Sequence, residues 1–565
     1  MAKIDSQILF LTTSPRTPEK MIPEIDLLIK HFNGQKWCAE TQRAFMEVLR
    51  QEQFFNGKGE KDPAFSARDR INRGPKSLGF VQLSPNIAVT PAGEELIGAE
   101  GKVGLSEVFL RQLLKFQIPS PFHKPSAKAA DFCVKPYLEL LRLVRVMGTL
   151  KFDELQMFGM QLTDWRKFDD IVRKVEAFRI AKTQQGGSYS NFKRMYLANE
   201  LKAIYKERIA KGDIKTRESK NASLKKFLDT QARNMRDYAD AGFRYLQATG
   251  LVQVSHVGKS LSIVPDRIED VDYILKTISR EPCFINDEAA YMAYLGGADT
   301  PKLLTDSKKA LVEKLRRDFP HIVFNADMDV KTLKVMLAKA VEERKAEALR
   351  LQVEAIKNYR QYDDIQAAFR NICAKTLYDA PLMFEWNMWR AMTMLDGGDI
   401  KANLHFDDFG NPLSVAQGNM ADIVCDYGDY MLIVEVTLAS GQKQYEMEGE
   451  PVSRHLGAIK KSCGKPCFCL FVSPTINEAC VAHFYVLHQM DIAYYGGKSS
   501  ITPLPLHIFQ KMLEDSFKAG FTPNPSHVRS FFEHSAQLAA QSSNELEWYG
   551  KLQESAVKWF STSLT

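Results

Sequence analysis

The pattern of hydrophobic and polar positions predicts a chain that is helical for most of its length and forms a sheet near its C-terminal end. Residues 421–425 and 430–438 are apolar, β-branched runs, and the four residues between them are of types that favour a turn. We therefore predict a β-hairpin over 421–438. The pattern after it predicts a helix over 450–462, a buried strand over 467–472, a helix over 474–489 and a short strand over 492–495.

A basic helix followed by a hairpin is predicted near the N-terminus. Ser66 can cap a short helix that ends at a Gly-Pro break, and strands over 80–83 and 87–90 are followed by a helix from Pro91. The basic residues of this first helix and its break are Arg68, Arg70, Arg73 and Lys76. Upstream, the Pro-rich turn SPRTPEK holds Arg16 and Lys20.

The same order of elements recurs over residues 230–266. A predicted helix carries Arg233 and Arg236, and the run LVQVSHVGKSLSIVP predicts a hairpin. Helix, hairpin and helix in this order are typical of winged helix-turn-helix folds, and the planar fork of arginine suits guanine edges and phosphates. Two such units predict a double-stranded DNA partner. The alternative is a pair of solvated basic helices in a fold that binds nothing.

Charged residues dominate the helical pattern of residues 301–375. A long helix with few core positions suits a spacer between a module that reads DNA and a module that cuts it. Coiled-coil pairing is the alternative, but no a/d heptad is sustained along this stretch.

Composition sets wider limits on the chain. Its 565 residues allow about three to four domains, and the apolar content of 45% supports several cores. A net charge of +6 does not by itself establish nucleic acid as a partner. We expect no membrane span, and nine scattered cysteines fit a reducing cytoplasm. The cluster of Cys463, Cys467 and Cys469 is interpreted as buried strand thiols rather than a zinc site.

Acidic residues inside the predicted hairpin are the strongest chemical signal. Asp422 opens the first strand, and Glu435 lies within the apolar run of the second. A carboxylate buried in such a run costs several kcal/mol unless its charge is compensated, and a shared divalent metal is one compensation. Glu385, on an aromatic helix upstream, would complete the cluster. This layout, with its order α-β-β-β-α-β, matches the acidic core of PD-(D/E)XK nucleases.

Ordered blocks along the chain carry a family resemblance. The blocks SPRTPEK, AFSARDR, EVFLRQLLKFQIPS, RNMRDYADAGFRYLQATGL, FEW and AQGNMAD…VEVTL…GQKQYEMEGEPVSRH resemble the AlwI/BstNBI family of type IIS restriction and nicking endonucleases. The resemblance implies an N-terminal domain that reads a short asymmetric site, a helical linker, and a Mg²⁺-dependent domain that cuts to one side. It also suggests a site related to GAGTC.

Residue by residue, the resemblance places the acidic site on Glu385, Asp422, Glu435 and Glu448. Asp422, Glu435 and the backbone C=O of Val436 are the expected Mg²⁺ ligands. The chain departs from the usual motif in two places, because Ala421 replaces its proline and Thr437 its lysine. Glu448 is the candidate for the region of the lysine, and Gln444 could also reach it. We expect His455, beside Arg454, to bind phosphate or pack rather than act as a base.

The predicted fold is multi-domain α+β. A largely helical DNA-recognition domain with winged-helix subdomains spans residues 1–285, a helical linker spans 286–365, and a PD-(D/E)XK cleavage domain spans 366–565. Three functions remain open. They are a type IIS enzyme whose cleavage domains pair to cut both strands, a strand-specific nickase or large subunit with a small partner, and a non-catalytic winged-helix DNA-binding protein.

Overall fold

A computed structural model of the protein describes residues 2–52, 55, 62–98, 104–126, 129–186, 188–215, 223–357, 361–395, 399–406, 410–416, 420–519 and 523–560. It divides into two compact units. The first consists of Met1–Gln51 and Gly57–Val341, and the second of Glu52–Asn56 and Glu342–Thr565. The predicted mixture of a largely helical chain with small sheets is confirmed. No helix in the described parts of the chain is long and apolar enough to cross a membrane.

Helices build most of the first unit. They are α1 (Met21–Phe32), α2 (Ala39–Gln51), α3 (Pro63–Ile71), α4 (Pro91–Gly98), α5 (Leu105–Lys115), α6 (Pro136–Met147), α7 (Phe152–Met157), α8 (Phe168–Gln184), α9 (Tyr189–Ile204), α10 (Lys206–Ala210), α11 (Leu224–Ala248), α12 (Ile268–Thr277), α13 (Glu288–Gly296), α14 (Lys308–Asp318) and the start of α15 (Val330–Lys357). The strands are β1 (Ala2–Ile4), β2 (Val81–Gln82), β3 (Ala88–Val89), β4 (His123–Pro125), β5 (Thr149–Lys151), β6 (Val252–Ser255) and β7 (Ser260–Ile263).

Both hairpins predicted for the N-terminal half form in the first unit. β2 pairs with β3, and β6 pairs with β7, which also pairs with β5 in a three-stranded sheet. The predicted cap of α3 was wrong, because Asp62 rather than Ser66 accepts a hydrogen bond from the backbone N–H of Phe65, at 3.0 Å. Pro63 follows this cap as the first helical residue, a position where the missing N–H costs nothing.

The second unit surrounds a five-stranded sheet. Its helices are α16 (Tyr362–Cys373), α17 (Ala380–Leu395), α18 (Gln442–Cys463), α19 (Glu478–Gln489), α20 (Leu506–Ala519), α21 (Pro525–Gln541) and α22 (Glu545–Val557). Its strands are β8 (Asp399–Ala402), β9 (His405–Phe406), β10 (Pro412–Ser414), β11 (Ile423–Asp426), β12 (Met431–Val436), β13 (Cys467–Ser473) and β14 (Ser500–Pro505). The strand order is β14-β13-β12-β11-β8, parallel from β14 to β12 and antiparallel from β12 to β8.

The predicted strand over 492–495 was wrong, and the last strand of the sheet is β14. The aromatic residues there form a 3₁₀ turn, and the chain reverses through Gly496 and Gly497 with φ of 71° and 98°. Strand β14 contains two prolines, Pro503 and Pro505. They are tolerated because β14 lies at the edge of the sheet, where one row of backbone N–H groups has no ladder to join.

Candidate active site

The register of the central hairpin brings two acids together. Ile423 pairs with Val434 and Val424 with Ile433, so continuing this antiparallel register by one residue places Asp422 opposite Glu435. Opposed residues of an antiparallel pair project from the same face of the sheet. The two carboxylates predicted from the sequence therefore meet at the open end of the hairpin.

Backbone hydrogen bonds fix Asp422 in place. Its Oδ2 accepts from the N–H of Val436 at 2.8 Å. On the other side, Asn403 donates its N–H to the C=O of Asp422 at 2.9 Å and its side-chain Nδ2 to the C=O of Ala421 at 2.6 Å. Asn403 lies just after β8. It was not identified from the sequence, because the hydrophobic and polar pattern around it gives no sign of this contact.

Helix α18 supplies the next two groups of the site. It begins eight residues earlier than predicted, since Pro451 lies within the helix instead of near its start. Glu448 and His455 are seven residues apart and therefore share one face of the helix. His455 Nδ1 lies 2.8 Å from Glu435 Oε1, and the hydroxyl of Thr437 is hydrogen-bonded to Glu448. The one sequence signal for the contact between His455 and Glu435 was the helical spacing that places His455 on the same face as Glu448.

Gln444 has a different role from the one its position suggested. Its Nε2 donates to the C=O of Ala439, to Ser473 Oγ and to the C=O of Thr475, each at 2.9 Å. Its Oε1 accepts from the N–H of Asn477 at 2.7 Å. Gln444 thus links the loop after β12, the end of β13 and the start of α19. These hydrogen bonds help to hold α18 in position.

Glu385 reaches the same cluster from α17. Its side chain is 8% exposed, and its Oε2 accepts from the N–H of Ala416 at 3.1 Å. The charge of Glu385 acts on Glu435. The structure thus brings together Glu385, Asp422, Glu435 and Glu448.

Burial and mutual repulsion dominate the electrostatics of this cluster. Burial, followed by the charge of Glu435, raises the pKa of Asp422 well above its usual value, although the Val436 N–H opposes the shift. Burial also raises the pKa of Glu435 well above its usual value, and Glu448 and Glu385 add to this. The pKa of Glu448 is raised by burial, against the hydrogen bond from Thr437. Without a cation, burial and the neighbouring negative charges therefore disfavour the ionised form of these carboxyl groups.

His455 is buried beside these acids. Burial, followed by the charge of Arg454, lowers the pKa of His455 to about 4. Its Nε2 is also buried and has no hydrogen-bond partner among the described residues. Buried polar atoms are rarely left unpaired, and a bound water or ligand commonly satisfies them.

The donor chemistry of the cluster fits a hard divalent cation. Mg²⁺ prefers carboxylate and carbonyl oxygens, takes one or two carboxylates, and keeps several waters. Across the described ranges, no group of three or more His, Cys, Asp and Glu side chains is arranged as a metal cage. Two carboxylates, Asp422 and Glu435, with the C=O of Val436 and water would meet the smaller requirement of Mg²⁺.

Five predicted DNA-binding residues lie along one path in the first unit. Thr12 donates its hydroxyl to the C=O of Arg73 at 2.9 Å, and Arg16 pairs with Asp237 of α11 at 3.3 Å. The segment between Thr12 and Arg16 thus joins the end of α3 to α11. We call the exposed cations along this path the basic face, and they are Arg16, Lys20, Arg73, Arg233 and Arg236.

The other three predicted DNA-binding residues are engaged within the fold. Arg70 pairs with the buried Glu24 at 2.6 Å, and Arg68 donates to Gln42 Oε1 at 2.8 Å. The ammonium of Lys76 lies 4.8 Å from the ring centroid of Phe122. Burial lowers the pKa of Lys76, with Glu288 opposing the shift.

The cysteine cluster agrees with the interpretation as buried thiols. Cys467 and Cys469 are buried in β13, and Cys463 Sγ lies 3.3 Å from Cys467 Sγ at the end of α18. None of the nine cysteines, all of which lie in the described ranges, forms a disulfide. Burial raises the pKa of Cys467 to about 12, which disfavours the thiolate that zinc requires.

A match to a family model defines the class of protein, a restriction endonuclease, which is an enzyme that hydrolyses DNA at specific sites. A model described as the AlwI restriction endonuclease family matches residues 76–512, which is most of the chain. The chain therefore belongs to the AlwI restriction endonuclease family. A comparison with curated proteins gives no significant match.

Solved structures add three similarities. The small subunit of the heterodimeric restriction endonuclease R.BspD6I is 22% identical, with a TM-score of 0.27, covering 37% of this chain and 96% of the subunit. The BpuJ1 endonuclease binding domain, solved with pyrene- and phenanthrene-modified DNA, is 13% identical, with a TM-score of 0.33, covering 49% and 92%. Restriction endonuclease FokI is 13% identical, with a TM-score of 0.23, covering 86% and 85%. The family assignment rests on the family model.

Proposed function

We propose that the protein is a Mg²⁺-dependent type IIS endonuclease that binds a short asymmetric sequence and hydrolyses a phosphodiester at a fixed distance outside it. The observation that carries this proposal is the meeting of Asp422 and Glu435 at the open end of a buried hairpin, with Glu385 and Glu448 beside them. Burying several carboxyl groups together lowers the stability of a fold. A divalent cation bound by them offsets this loss, so the cluster is suited to bind one. We assign the second unit to the PD-(D/E)XK group on the same grounds.

Each acid has a distinct task in the proposed site. When bound, Mg²⁺ activates a water molecule for attack on phosphorus and offsets charge on the phosphoryl oxygens. Asp422 and Glu435, with the C=O of Val436, would hold it. The hydrogen bond from the Val436 N–H holds the carboxyl group of Asp422 in place, and His455 Nδ1, at hydrogen-bond distance from Oε1, does the same for Glu435. Glu448, hydrogen-bonded to Thr437, and Glu385 would hold water molecules.

Recognition is assigned to the first unit. Its two helix–hairpin–helix segments suit winged-helix subdomains, and the basic face offers exposed arginines for phosphates and base edges. The site is proposed to be related to GAGTC on the strength of the family resemblance in SPRTPEK and AFSARDR.

The function is tested by mapping both strands of a duplex with one GAGTC site after incubation with protein and Mg²⁺. We expect cleavage at one fixed position outside the site and none with EDTA. Cuts in both strands at once indicate paired cleavage domains. A cut confined to one strand indicates a nickase or a lone large subunit, as one acidic cluster acts on one strand per visit. DNA that is bound but never cut contradicts the proposal and favours a non-catalytic DNA-binding protein.

Removal of one arginine from the basic face is expected to weaken DNA binding. Arg73 is half exposed and pairs with Asp69 of α3 at 2.6 Å, so its charge is available to DNA without loss of a core contact. Arg73→Gln should cost about 1–3 kcal/mol of site discrimination if the residue reads a base. If it contacts a phosphate, binding should weaken on all sequences and the salt dependence should fall. Fluorescence anisotropy at several salt concentrations measures both effects.

Arg173→Gln is the matched control for this change. Arg173 is an exposed arginine in the same unit that also pairs with an acid nearby in the sequence, Asp170, but it lies outside the basic face. Equal binding by both variants and wild type would remove Arg73 from the recognition surface.

A further inference from the structure

Helices α14 and α15 form a body with its own hydrophobic core. The residues of this core are Leu311, Val312, Leu315, Phe319, Leu333, Leu337 and Ala340. Since this cluster is separate from the other cores, apolar packing within the pair does not anchor it to the rest of the first unit. Other contacts must therefore attach the α14–α15 body to the rest of the first unit.

Charged side chains provide that attachment. Lys334, at the start of α15, donates to Glu107 of α5 at 2.7 Å and to Asp306 at 2.5 Å. Arg111 of α5 bonds the same two acids at 2.6 and 2.8 Å and also donates to the C=O of Pro301 at 2.6 Å. We call these four residues, Glu107, Arg111, Asp306 and Lys334, the ion-pair clamp.

The clamp is built for precise positioning. The Arg111 side chain is 6% exposed, and Asp306 also accepts from the N–H of Leu303 at 2.8 Å, which fixes the turn before α14. Despite burial, which opposes them, Arg111 and Lys334 lower the pKa of Glu107. Such a network is geometrically strict, because each charge requires its partners at hydrogen-bond distance. Two further pairs, Lys314–Asp270 at 3.2 Å and Arg317–Glu269 at 2.8 Å, hold α14.

The sequence position of the clamp matters for the proposed reaction. Helix α15 continues past Val341, where the first unit ends, to Lys357. From Lys334 to Lys357 the helix rises by about 35 Å. A tilt of roughly 6° at the clamped end would move the far end by about 3.6 Å, close to one base step of about 3.4 Å.

We propose that the ion-pair clamp sets the distance between the recognition site and the cut, with Lys334 and Asp306 as its positioning residues. The inference rests on the proposed fixed-distance cleavage. With the clamp closed, the start of α15 has one orientation on the recognition unit and the cut falls at one position. With the clamp open, α15 tilts while the ion pairs of Lys314 and Arg317 still hold α14, and neighbouring phosphates become accessible.

The test maps cleaved ends to single nucleotides on a one-site duplex, using the full chain. Wild type is expected to give one dominant distance. The double variant Asp306→Asn/Lys334→Ala is expected to lose single-position cleavage and to share its ends among adjacent positions. Lys334→Arg, which keeps the charge and the donors, should retain the wild-type pattern. Lys339→Ala, an exposed lysine on the same helix, is the matched control and should also retain it.

The position of the ends separates positioning from mere stability. Only folded, active molecules produce ends, so partial unfolding lowers their amount without moving them. A single unchanged distance in the double variant overturns the inference and leaves the proposed function standing. A wild-type enzyme that cuts at no fixed distance overturns the proposed function and the inference with it.

Discussion

Asp422→Asn is expected to abolish DNA hydrolysis while DNA binding is retained. Asparagine has the shape of aspartate, and its Oδ1 can still accept from the N–H of Val436, so the hairpin should keep its geometry. The neutral amide lacks the charge that holds a divalent cation. Loss of several kcal/mol of charge stabilisation corresponds to a rate at least about 10³-fold lower. Single-turnover cleavage of an end-labelled duplex measures the loss.

Asp426→Asn is the matched control, since Asp426 lies at the other end of the strand that Asp422 directly precedes. It ends β11 at the hairpin turn, where it pairs with Lys465 at 3.2 Å. Its loss should leave the rate within a fewfold of wild type, because the pair is partly exposed to solvent and lies at the opposite end of the strand from the acidic cluster. If Asp422→Asn cuts at the rate of wild type, the acidic cluster is not the active site.

Glu435→Gln is expected to stabilise the metal-free protein at neutral and higher pH. The glutamine Oε1 can still accept from His455 Nδ1, while the variant no longer carries a charge into a buried acidic cluster. Neutralising an active-site group of this kind commonly adds about 1–2 kcal/mol to the free energy of unfolding. Thermal unfolding in EDTA at several pH values measures the gain.

The pH dependence has a definite sign. Because burial raises the pKa of Glu435 in the folded state, its contribution to stability is complete below the unfolded value of 4.5. That contribution is lost as the pH rises through the folded pKa. The wild-type protein in EDTA should therefore lose stability relative to Glu435→Gln as the pH increases. The largest difference is expected at the alkaline end of the range.

Addition of Mg²⁺ should reverse this order. A cation that binds the folded state raises its stability by mass action, and only wild type has both carboxylates to hold it. Glu446→Gln, on the exposed face of α18, should behave as wild type in both conditions. If Glu435→Gln and wild type were equally stable at every pH, burial of the Glu435 carboxylate would not destabilise the folded protein.

The sequence predicted the part of the site that depends on neighbouring residues. Asp422 and Glu435 interrupt apolar runs of period two, and the turn between the runs determines their register, so their meeting followed from local pattern. The start of α18 was misplaced because Pro451 suggests a helix start, whereas here the helix passes through it. Glu448 therefore lies well inside a helix instead of in a loop before one.

Contacts between distant segments could not be predicted. Arg70 was grouped with the DNA-binding arginines, but its partner Glu24 lies 46 residues away on α1. Arg111 meets Asp306 across 195 residues of sequence. A charged residue on a helix gives the same pattern whether it faces solvent, phosphate or a buried acid, and only the tertiary fold separates these cases.

Both edges of the five-stranded sheet are closed to further strands. On one side, β14 carries Pro503 and Pro505, which offer no N–H to a neighbour. On the other side, β8 carries the exposed charges of Asp399 and Lys401. Two copies that cooperate on one duplex would therefore not merge their sheets into a continuous one. Their association would have to use contacts between helices or loops. Such an association would be reversible.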